Sequence, residues 1–326
     1  MNHTTHPLAT HYFELPSHRR MAYSQVGHVD APRVLLCLPG LLETRTTFDP
    51  LLHAAAHRHG VRVISVDYCG RGDADPLPGD KGYTMSVYLH DVKAFLHHEV
   101  MRPDLPLPRI ELLGTSMGGI LSMYLAHDKH NHIEGLFLND IGLDLPWMSI
   151  YGLYDGMKTD GRLPEPYELA QQLKVTLGAV MAVQSPTHFD LSYRKSWKGM
   201  QFGHLLNHFD APLRLVCGSE SGVCMPDQVL QLQRTFPKAK VLEVAGAAHP
   251  VPFTEEVNHF ILNELRLPDV PVHATHDSTT HSVSEAPQIA TPKPMQDDLA
   301  PLLEETEAAA QTQKRRLLSW VKRLFS

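Results

Sequence analysis

The sequence predicts an α/β fold with a mainly parallel sheet that helices cover on both faces. Short apolar runs typical of strands alternate with helical segments along most of residues 12–265. Several of these runs end directly in glycine-containing turns. The 326-residue chain is 43% hydrophobic, an ordinary value for a globular protein of this size. Because a helix follows nearly every strand, crossover connections and parallel pairing are expected.

Hydrophobic periodicity gives the order of the elements. Residues 12–25 are expected to form two short strands around a Pro-Ser-His turn, and a buried strand at residues 33–38 stops at Pro39-Gly40. The later predicted strands are residues 61–67, 109–113, 133–139, 212–217 and 240–244. The predicted helices are residues 47–59, 84–100, 118–127, 227–236 and 252–265.

Two stretches break this alternation within and after a main domain at residues 1–266. Residues 143–207, between the sixth and seventh strands, contain helical pieces rich in aromatic residues and methionine, and they predict an inserted helical cap. Residues 267–301 are rich in Pro, Thr, Ser and His, and they bury too little apolar surface to offset the entropy of ordering. A disordered linker is therefore expected there, followed by a basic amphipathic helix at residues 302–326.

The composition argues against several classes of function. A net charge of -7 and a pI near 6.3 provide no basic field for a phosphate backbone, so nucleic acid is not an expected partner. No apolar run is long enough for a signal peptide or a membrane span, which predicts a cytoplasmic protein. The four cysteines and 22 histidines lack metal-ligand spacing. Neither a metal nor another cofactor is expected.

The strongest chemical signal is the segment Gly114-Thr115-Ser116-Met117-Gly118, which follows an apolar strand and opens a helix. A nucleophile on such a turn needs strained backbone angles, so glycines two residues to either side relieve clashes. The helix N-terminus behind the turn favours developing negative charge. Ser116 is the predicted nucleophile.

A serine hydroxyl needs a base, and an imidazole titrating near neutral pH suits that role. His249 lies in the small-residue loop Ala245-Gly246-Ala247-Ala248-His249, just after the last predicted strand and before the last helix. No other histidine of the sequence has such a position. His249 is the predicted base.

From residue 12 to 265 the chain resembles the α/β-hydrolase fold family, in particular its capped, serine esterase-like members. The resemblance implies that the turn after the third strand, Leu38-Pro39-Gly40-Leu41, supplies one backbone N–H of an oxyanion hole through Leu41. The residue after the nucleophile, Met117, would supply the other. The segment Asp67-Tyr68-Cys69-Gly70-Arg71-Gly72 is similar to the family's strand-four signature, whose role there is loop architecture.

The carboxylate expected to orient His249 is missing from its usual position in the family pattern. Family members usually carry an aspartate three or four residues after the glycine that ends the next-to-last strand, and here Ser221 and Gly222 occupy those positions. Two other carboxylates could take this role: Glu220 on the same loop, and Asp140 at the end of the preceding strand. Asp140 is the favoured candidate, because some family members carry their acid at that site.

These features predict a carboxylesterase-type enzyme that cleaves an ester or related acyl bond through an acyl-enzyme on Ser116. The aromatic and methionine content of the cap favours a small or medium apolar substrate, and Leu42, Trp147 and Tyr151 are candidate pocket residues. Carbon-carbon bond hydrolysis and acyl transfer use the same serine and histidine, so both stay open. A catalytically weakened binding protein is a further alternative, supported by the missing loop aspartate.

Residues 314–326 reverse the sign of the charge in an acidic chain. On a helix, the apolar residues of this segment gather on one face and the basic residues on the other. Such a helix either folds back onto the main domain, binds a partner groove, or attaches reversibly to an anionic membrane surface. Attachment to a membrane surface would make the chain a cytoplasmic protein that associates peripherally with a membrane.

Overall fold

A computed structural model describes residues 7–80, 82–146, 149, 165–183, 188, 195–196 and 199–265. The strands are β1 (His11–Glu14), β2 (Arg20–Val26), β3 (Arg33–Leu38), β4 (Val61–Val66), β5 (Arg109–Thr115), β6 (Ile133–Asn139), β7 (Asp144–Pro146), β8 (Lys195–Ser196), β9 (Gly199–Gln201), β10 (Leu213–Gly218) and β11 (Lys240–Val244). The α-helices are α1 (Asp49–Ala55), α2 (Met85–Phe95), α3 (Met117–His127), α4 (Pro166–Leu173), α5 (Leu177–Val183), α6 (Pro226–Thr235) and α7 (Glu255–Glu264).

The chain divides into two units, Met1–Arg266 and Leu267–Ser326. The second unit, which contains the predicted linker and the predicted amphipathic helix, lies outside the described residues. None of the helices in the described part of the chain is long and apolar enough to cross a membrane.

Eight strands form one sheet in the order β1-β2-β4-β3-β5-β6-β10-β11. The pairs β1–β2 and β2–β4 are antiparallel, and all the later neighbours are parallel. The prediction of an α/β fold with a mainly parallel sheet is confirmed. Because the central strands run parallel and in register, their carboxyl ends meet at one edge, where ligands bind in open α/β sheets.

Side chains along the central strands alternate between two cores. In β3, Val34, Leu36 and Leu38 belong to the core under α2 and α3. Leu35 and Cys37 belong to the core under α1 and α7. A strand that is buried on both faces has a continuous run of apolar residues, so the sequence of β3 predicts a buried strand. Each fully buried aliphatic side chain contributes roughly 1.5–3 kcal/mol of hydrophobic free energy.

Several helices differ in their bounds from the sequence prediction, for local reasons. The Thr84 hydroxyl accepts the Val87 N–H and begins α2 at Met85, and a π-helical turn at Leu96–Val100 extends this helix. The predicted helix at residues 252–265 begins only at Glu255, because Thr254 caps it in the same way. The predicted helix at residues 47–59 is the short α1, preceded by a 3-10 turn.

Between β6 and β10 the described residues contain more than the helices predicted there. Helices α4 and α5 are present, and β7, β9 and β8 form a small antiparallel sheet. A purely helical cap was therefore an incomplete prediction, since strands of two or three residues are too short to give a periodic signal. The full extent of the predicted cap, residues 143–207, remains a prediction, because much of it lies outside the described residues.

The charged side chain of Glu111 lies inside the sheet layer. This β5 carboxylate is 1% exposed and accepts hydrogen bonds from Arg33 in β3 at 3.0 Å and Arg214 in β10 at 2.7 Å. The Arg214 guanidinium also stacks on the Phe137 ring, 4.6 Å from its centroid. Burying a carboxylate is tolerable only when it is paired and hydrogen-bonded, as here.

We expect Glu111→Gln to lower the free energy of unfolding by about 3–5 kcal/mol, because the buried Arg33 guanidinium loses its counter-charge and Arg214 keeps only Glu264, at 3.6 Å. Glu134→Gln is the matched control, since this carboxylate pairs with Arg109 at 3.3 Å but is 54% exposed. It should cost about 1 kcal/mol or less. Urea unfolding of both variants measures the difference, and equal losses would contradict a structural role for the Glu111 pairs.

Candidate active site

Ser116 occupies the sharp turn between β5 and α3. Its backbone has φ 49° and ψ -113°, an uncommon conformation for a residue with a side chain, and its side chain is half-buried. A Cβ on Gly114 would overlap the Gly118 backbone, and a Cβ on Gly118 would overlap the Leu38 carbonyl. Both glycines of the motif are therefore required by close backbone approach.

Ser116, His249 and Asp140 form a continuous hydrogen-bonded chain. The Ser116 hydroxyl lies 3.0 Å from Nε2 of His249, and Nδ1 of His249 lies 2.8 Å from Oδ2 of Asp140. The His249 side chain is 9% exposed and that of Asp140 is fully buried. With Nδ1–H donating to the carboxylate, Nε2 is left to accept the serine proton. This arrangement can pass the serine proton to Nε2 while the carboxylate orients the imidazole.

Four further hydrogen bonds hold Asp140 and the loop that contacts it. Oδ1 accepts the Gly218 N–H at 3.1 Å, and Oδ2 also accepts the Ser221 hydroxyl at 2.8 Å. The Ser221 oxygen in turn accepts the N–H groups of Val223 and Cys224. Ser221 thus occupies a position where the resemblance implies an acid, and here its hydroxyl donates to Asp140, which follows the neighbouring strand β6. Sequence reasoning had assigned Ser221 no role.

Glu220, the alternative acid, has a different environment. Its side chain is exposed, and its backbone N–H donates to the Ala247 carbonyl at 2.9 Å. Both ring nitrogens of His249 are already occupied by Ser116 and Asp140. Of the two candidate carboxylates, the structure brings only Asp140 to the imidazole.

The loop that carries His249 is attached to β6. Asn139 directly precedes Asp140 in the sequence, and its side-chain amide donates to the Val251 carbonyl at 2.9 Å. The same amide lies 3.3 Å from the Thr115 hydroxyl, next to Ser116. One buried asparagine thus ties the nucleophile turn, the acid strand and the histidine loop together. An Asn-Asp pair at the end of a predicted strand is the only sequence signal of this role.

The two predicted oxyanion donors lie on adjacent loops. A Cβ on Gly118 would overlap the Leu38 carbonyl, and one on Gly40 would lie 3.3 Å from the Thr115 carbonyl, so the β3 loop packs on the nucleophile turn. Within the part of the chain that the structure describes, the N–H groups of Leu41 and Met117 donate to no protein acceptor. Both are available to a ligand oxygen.

The cysteines do not compete with Ser116 as nucleophiles. All four are buried and unpaired. Burial raises the pKa of the Cys217 thiol to about 11 and that of Cys69 to about 12. Because the thiolate is the reactive form, these side chains are inert at neutral pH. Among the described residues, no group of three His, Cys, Asp or Glu side chains is arranged to hold a metal ion.

Of the candidate pocket residues, only Leu42 is described. It is buried, with φ 59°, in the loop that carries Leu41. Trp147 and Tyr151 lie outside the described residues. A surface depression between Lys240 of β11 and His259 and Glu264 of α7 contains none of the site residues.

Comparison with known proteins agrees with this architecture. A family model described as the α/β hydrolase fold matches residues 33–158. A 3-hydroxybutyrate-oligomer hydrolase from Cupriavidus necator is 26% identical over 287 residues, covering 83% of this chain and 93% of the relative. An sn-1-specific diacylglycerol lipase from Mus musculus is 26% identical over 264 residues, covering 72% and 82%.

Among solved structures, an α/β hydrolase from Novosphingobium aromaticivorans superposes with a TM-score of 0.59 at 21% identity, covering 78% of this chain and 97% of that chain. This likeness concerns the fold, which the sheet order and the family model show independently. The chain therefore has the α/β-hydrolase fold.

Proposed function

We propose that the chain is a serine hydrolase that cleaves a carboxylic ester or a related acyl bond through an acyl-enzyme on Ser116. The observation that carries this proposal is the hydrogen-bonded chain from Ser116 through His249 to Asp140. The strained turn at Ser116 and the two available N–H groups beside it are the other parts that acyl transfer requires.

In the proposed reaction, Nε2 of His249 takes the Ser116 proton as Oγ attacks the acyl carbon. The carbonyl electrons move to oxygen, and the N–H groups of Leu41 and Met117 together with the N-terminus of α3 stabilise that negative charge. His249 then gives its proton to the leaving alcohol, and the acyl group stays on Ser116. Water, activated by the same imidazole, releases the acid and restores the serine. Asp140 stabilises the imidazolium at both steps.

The substrate class follows from the relatives and the predicted cap. The two relatives are named for a 3-hydroxybutyrate oligomer and a diacylglycerol, and both substrates are esters. An ester with a small or medium apolar group is the class we propose for this chain. The alternative of a weakened binding protein depended on the missing loop aspartate, and the contact between Asp140 and His249 favours the enzyme over that alternative.

We expect Ser116→Ala and His249→Ala each to lower ester turnover by more than about a thousandfold, because each removes a member of the proton-transfer chain. Both should stay folded, since both side chains lie on loops. A panel of nitrophenyl esters of rising acyl length measures turnover, and a fluorophosphonate probe reports the activated serine.

His130→Ala is the matched control, because this histidine is 91% exposed and its ring pairs, within the described part of the chain, with Asp128 alone. It should keep wild-type turnover. Near-normal turnover by His249→Ala would remove that histidine as the base, and a folded wild-type protein that resists the probe would refute the proposed function.

We expect Asp140→Asn to cost about a hundredfold or more in kcat, while Glu220→Gln stays within about twofold of wild type. Only the partner of Nδ1 sets the imidazole tautomer and stabilises its charged form. The two variants should be compared on one nitrophenyl ester at saturating concentration. The reverse ranking would make Glu220 the acid, and full activity of both would indicate a serine-histidine dyad.

We further propose that residues 314–326, which lie outside the described residues, attach the enzyme reversibly to anionic membrane surfaces. The segment contains three basic residues in succession at 314–316 and two more at 322–323. On a helical projection, Arg315, Arg316, Lys322 and Arg323 lie opposite the leucine, tryptophan and phenylalanine side chains. Each basic residue near such a surface contributes about 1 kcal/mol, an interaction that salt screens.

Co-sedimentation with phosphatidylserine-containing and purely neutral vesicles tests this attachment, using the full chain and a chain that ends at Pro301. We expect only the full chain to pellet with the anionic vesicles, and added salt to release it. If neither chain pellets with anionic vesicles, the membrane proposal fails, and a partner groove or folding back onto the main domain takes its place.

A further inference from the structure

Arg71 is a fully buried cation beside the loop that carries Leu41. Its guanidinium carbon lies 4.7 Å from the centroid of the Tyr88 ring and 5.3 Å from that of Tyr68. Among the described residues no carboxylate forms an ion pair with it, and its Nε, also buried, has no hydrogen-bond partner. An unpaired buried charge opposes folding. The position of this arginine therefore calls for an explanation other than stability.

The polar contacts of Arg71 point to the oxyanion loop. Nη1 donates to the Gly40 carbonyl oxygen at 3.1 Å, and Nη2 donates to the Tyr88 hydroxyl at 3.2 Å. The Gly40 carbonyl and the Leu41 N–H belong to one planar peptide group. A donor that holds the oxygen therefore also sets the direction of the N–H on the other side of the peptide. Because the donor is a cation in a low-dielectric site, it also polarises the peptide and makes the N–H a stronger donor.

Neighbouring groups restrict the loop further. The Glu43 carboxylate accepts the Gly40 N–H at 2.6 Å, and the Glu43 N–H lies 3.3 Å from the Gly40 oxygen. The Tyr68 hydroxyl donates to the Pro39 carbonyl at 3.0 Å. The Gly40 N–H is thus already occupied, whereas the Leu41 N–H has no protein acceptor among the described residues.

We infer that Arg71 is a positioning residue of the oxyanion hole, which orients and polarises the Gly40–Leu41 peptide so that the Leu41 N–H stabilises the tetrahedral intermediate. This inference rests on the proposed function and deepens it. Arg71 does not contact the substrate in this role, and it acts through one peptide group. The role also accounts for an arginine placed between the two glycines of the strand-four signature.

The test compares an ester with its thionoester analogue, in which sulfur replaces the carbonyl oxygen. Sulfur is a weak hydrogen-bond acceptor, so an oxyanion hole favours the ester much more than the thionoester. We expect Arg71→Met to lower kcat for the ester by about tenfold or more with KM within about twofold. The ratio of ester to thionoester turnover should fall by about fivefold or more. Arg71→Lys keeps a cationic donor and should recover part of both losses.

The ratio does not depend on the fraction of correctly folded enzyme, because both substrates are measured on one preparation. Arg62→Met is the matched control: Arg62 is also buried, but it pairs with Glu99 at 2.8 Å and Gln25 at 2.7 Å in the β2–β4 region. This control should leave the ratio unchanged even if it lowers the melting temperature. Arg71→Met removes a buried charge without an ion-pair partner among the described residues, but also two hydrogen bonds and two ring contacts, so its melting temperature is measured beside that of Arg62→Met.

A measurement that needs no substrate tests the orientation of the Gly40–Leu41 peptide directly. With labelled protein, the carbonyl carbon resonance of Gly40 and the nitrogen resonance of Leu41 should both move in Arg71→Met and stay in place in Arg62→Met.

A wild-type ratio in Arg71→Met, equal losses on both substrates, or unchanged resonances would overturn the inference while the proposed function stands. A wild-type protein that turns over neither substrate and resists a fluorophosphonate would overturn the proposed function, and the inference with it.

Discussion

The parallel register of five neighbouring strands is the constraint on which the site depends. Leu38 pairs with Gly114, Thr115 pairs with Asn139, and Gly218 pairs with Val244, so β3, β5, β6, β10 and β11 end at one edge of the sheet. The hydrogen bonds between neighbouring strands continue one residue beyond the ends of β5 and β6. Ser116 N–H donates to the Asn139 carbonyl, and Asp140 N–H donates to the Val216 carbonyl. A slip of one residue would turn each of these side chains to the opposite face.

The proposed nucleophile and base could be selected from the sequence because both stand in local patterns. The glycines around Ser116 are required by contacts within a few residues, and His249 follows the last strand directly. The parallel sheet was predictable for the same reason, since buried runs and turns alternate in the sequence. The choice between the two candidate acids was harder to make from the sequence. Choosing Asp140 over Glu220 depends on how β6 pairs with β10, a contact between residues far apart in the chain.

The contributions of Arg71, Ser221 and Asn139 were not predictable, because each acts through a long-range contact with a backbone group or another side chain. Arg71 stands in a signature that sequence reasoning treated as loop architecture, and its carbonyl partner lies 31 positions away in the sequence. The short strands β7 to β9 were missed because two or three residues do not establish a period. The pocket residues Trp147 and Tyr151 and the C-terminal segment remain sequence predictions, since they lie outside the described residues.

Backbone strain is concentrated where the proposed chemistry lies. Among the described residues, six that are not glycine have a positive φ, and three of them, Leu42, Ser116 and Asp140, lie just after β3, β5 and β6. Each such conformation costs on the order of 1–3 kcal/mol and persists only where the surroundings determine it. The surroundings here are the paired strand ends, the glycine contacts and the buried cores on both faces of the sheet. The proposed function needs an accessible hydroxyl, a buried carboxylate and two N–H donors at one edge, and these groups are held in conformations that the unfolded chain rarely adopts. The rigid sheet supplies that stability, and the residues at its edge are therefore selected for chemistry at some cost to folding.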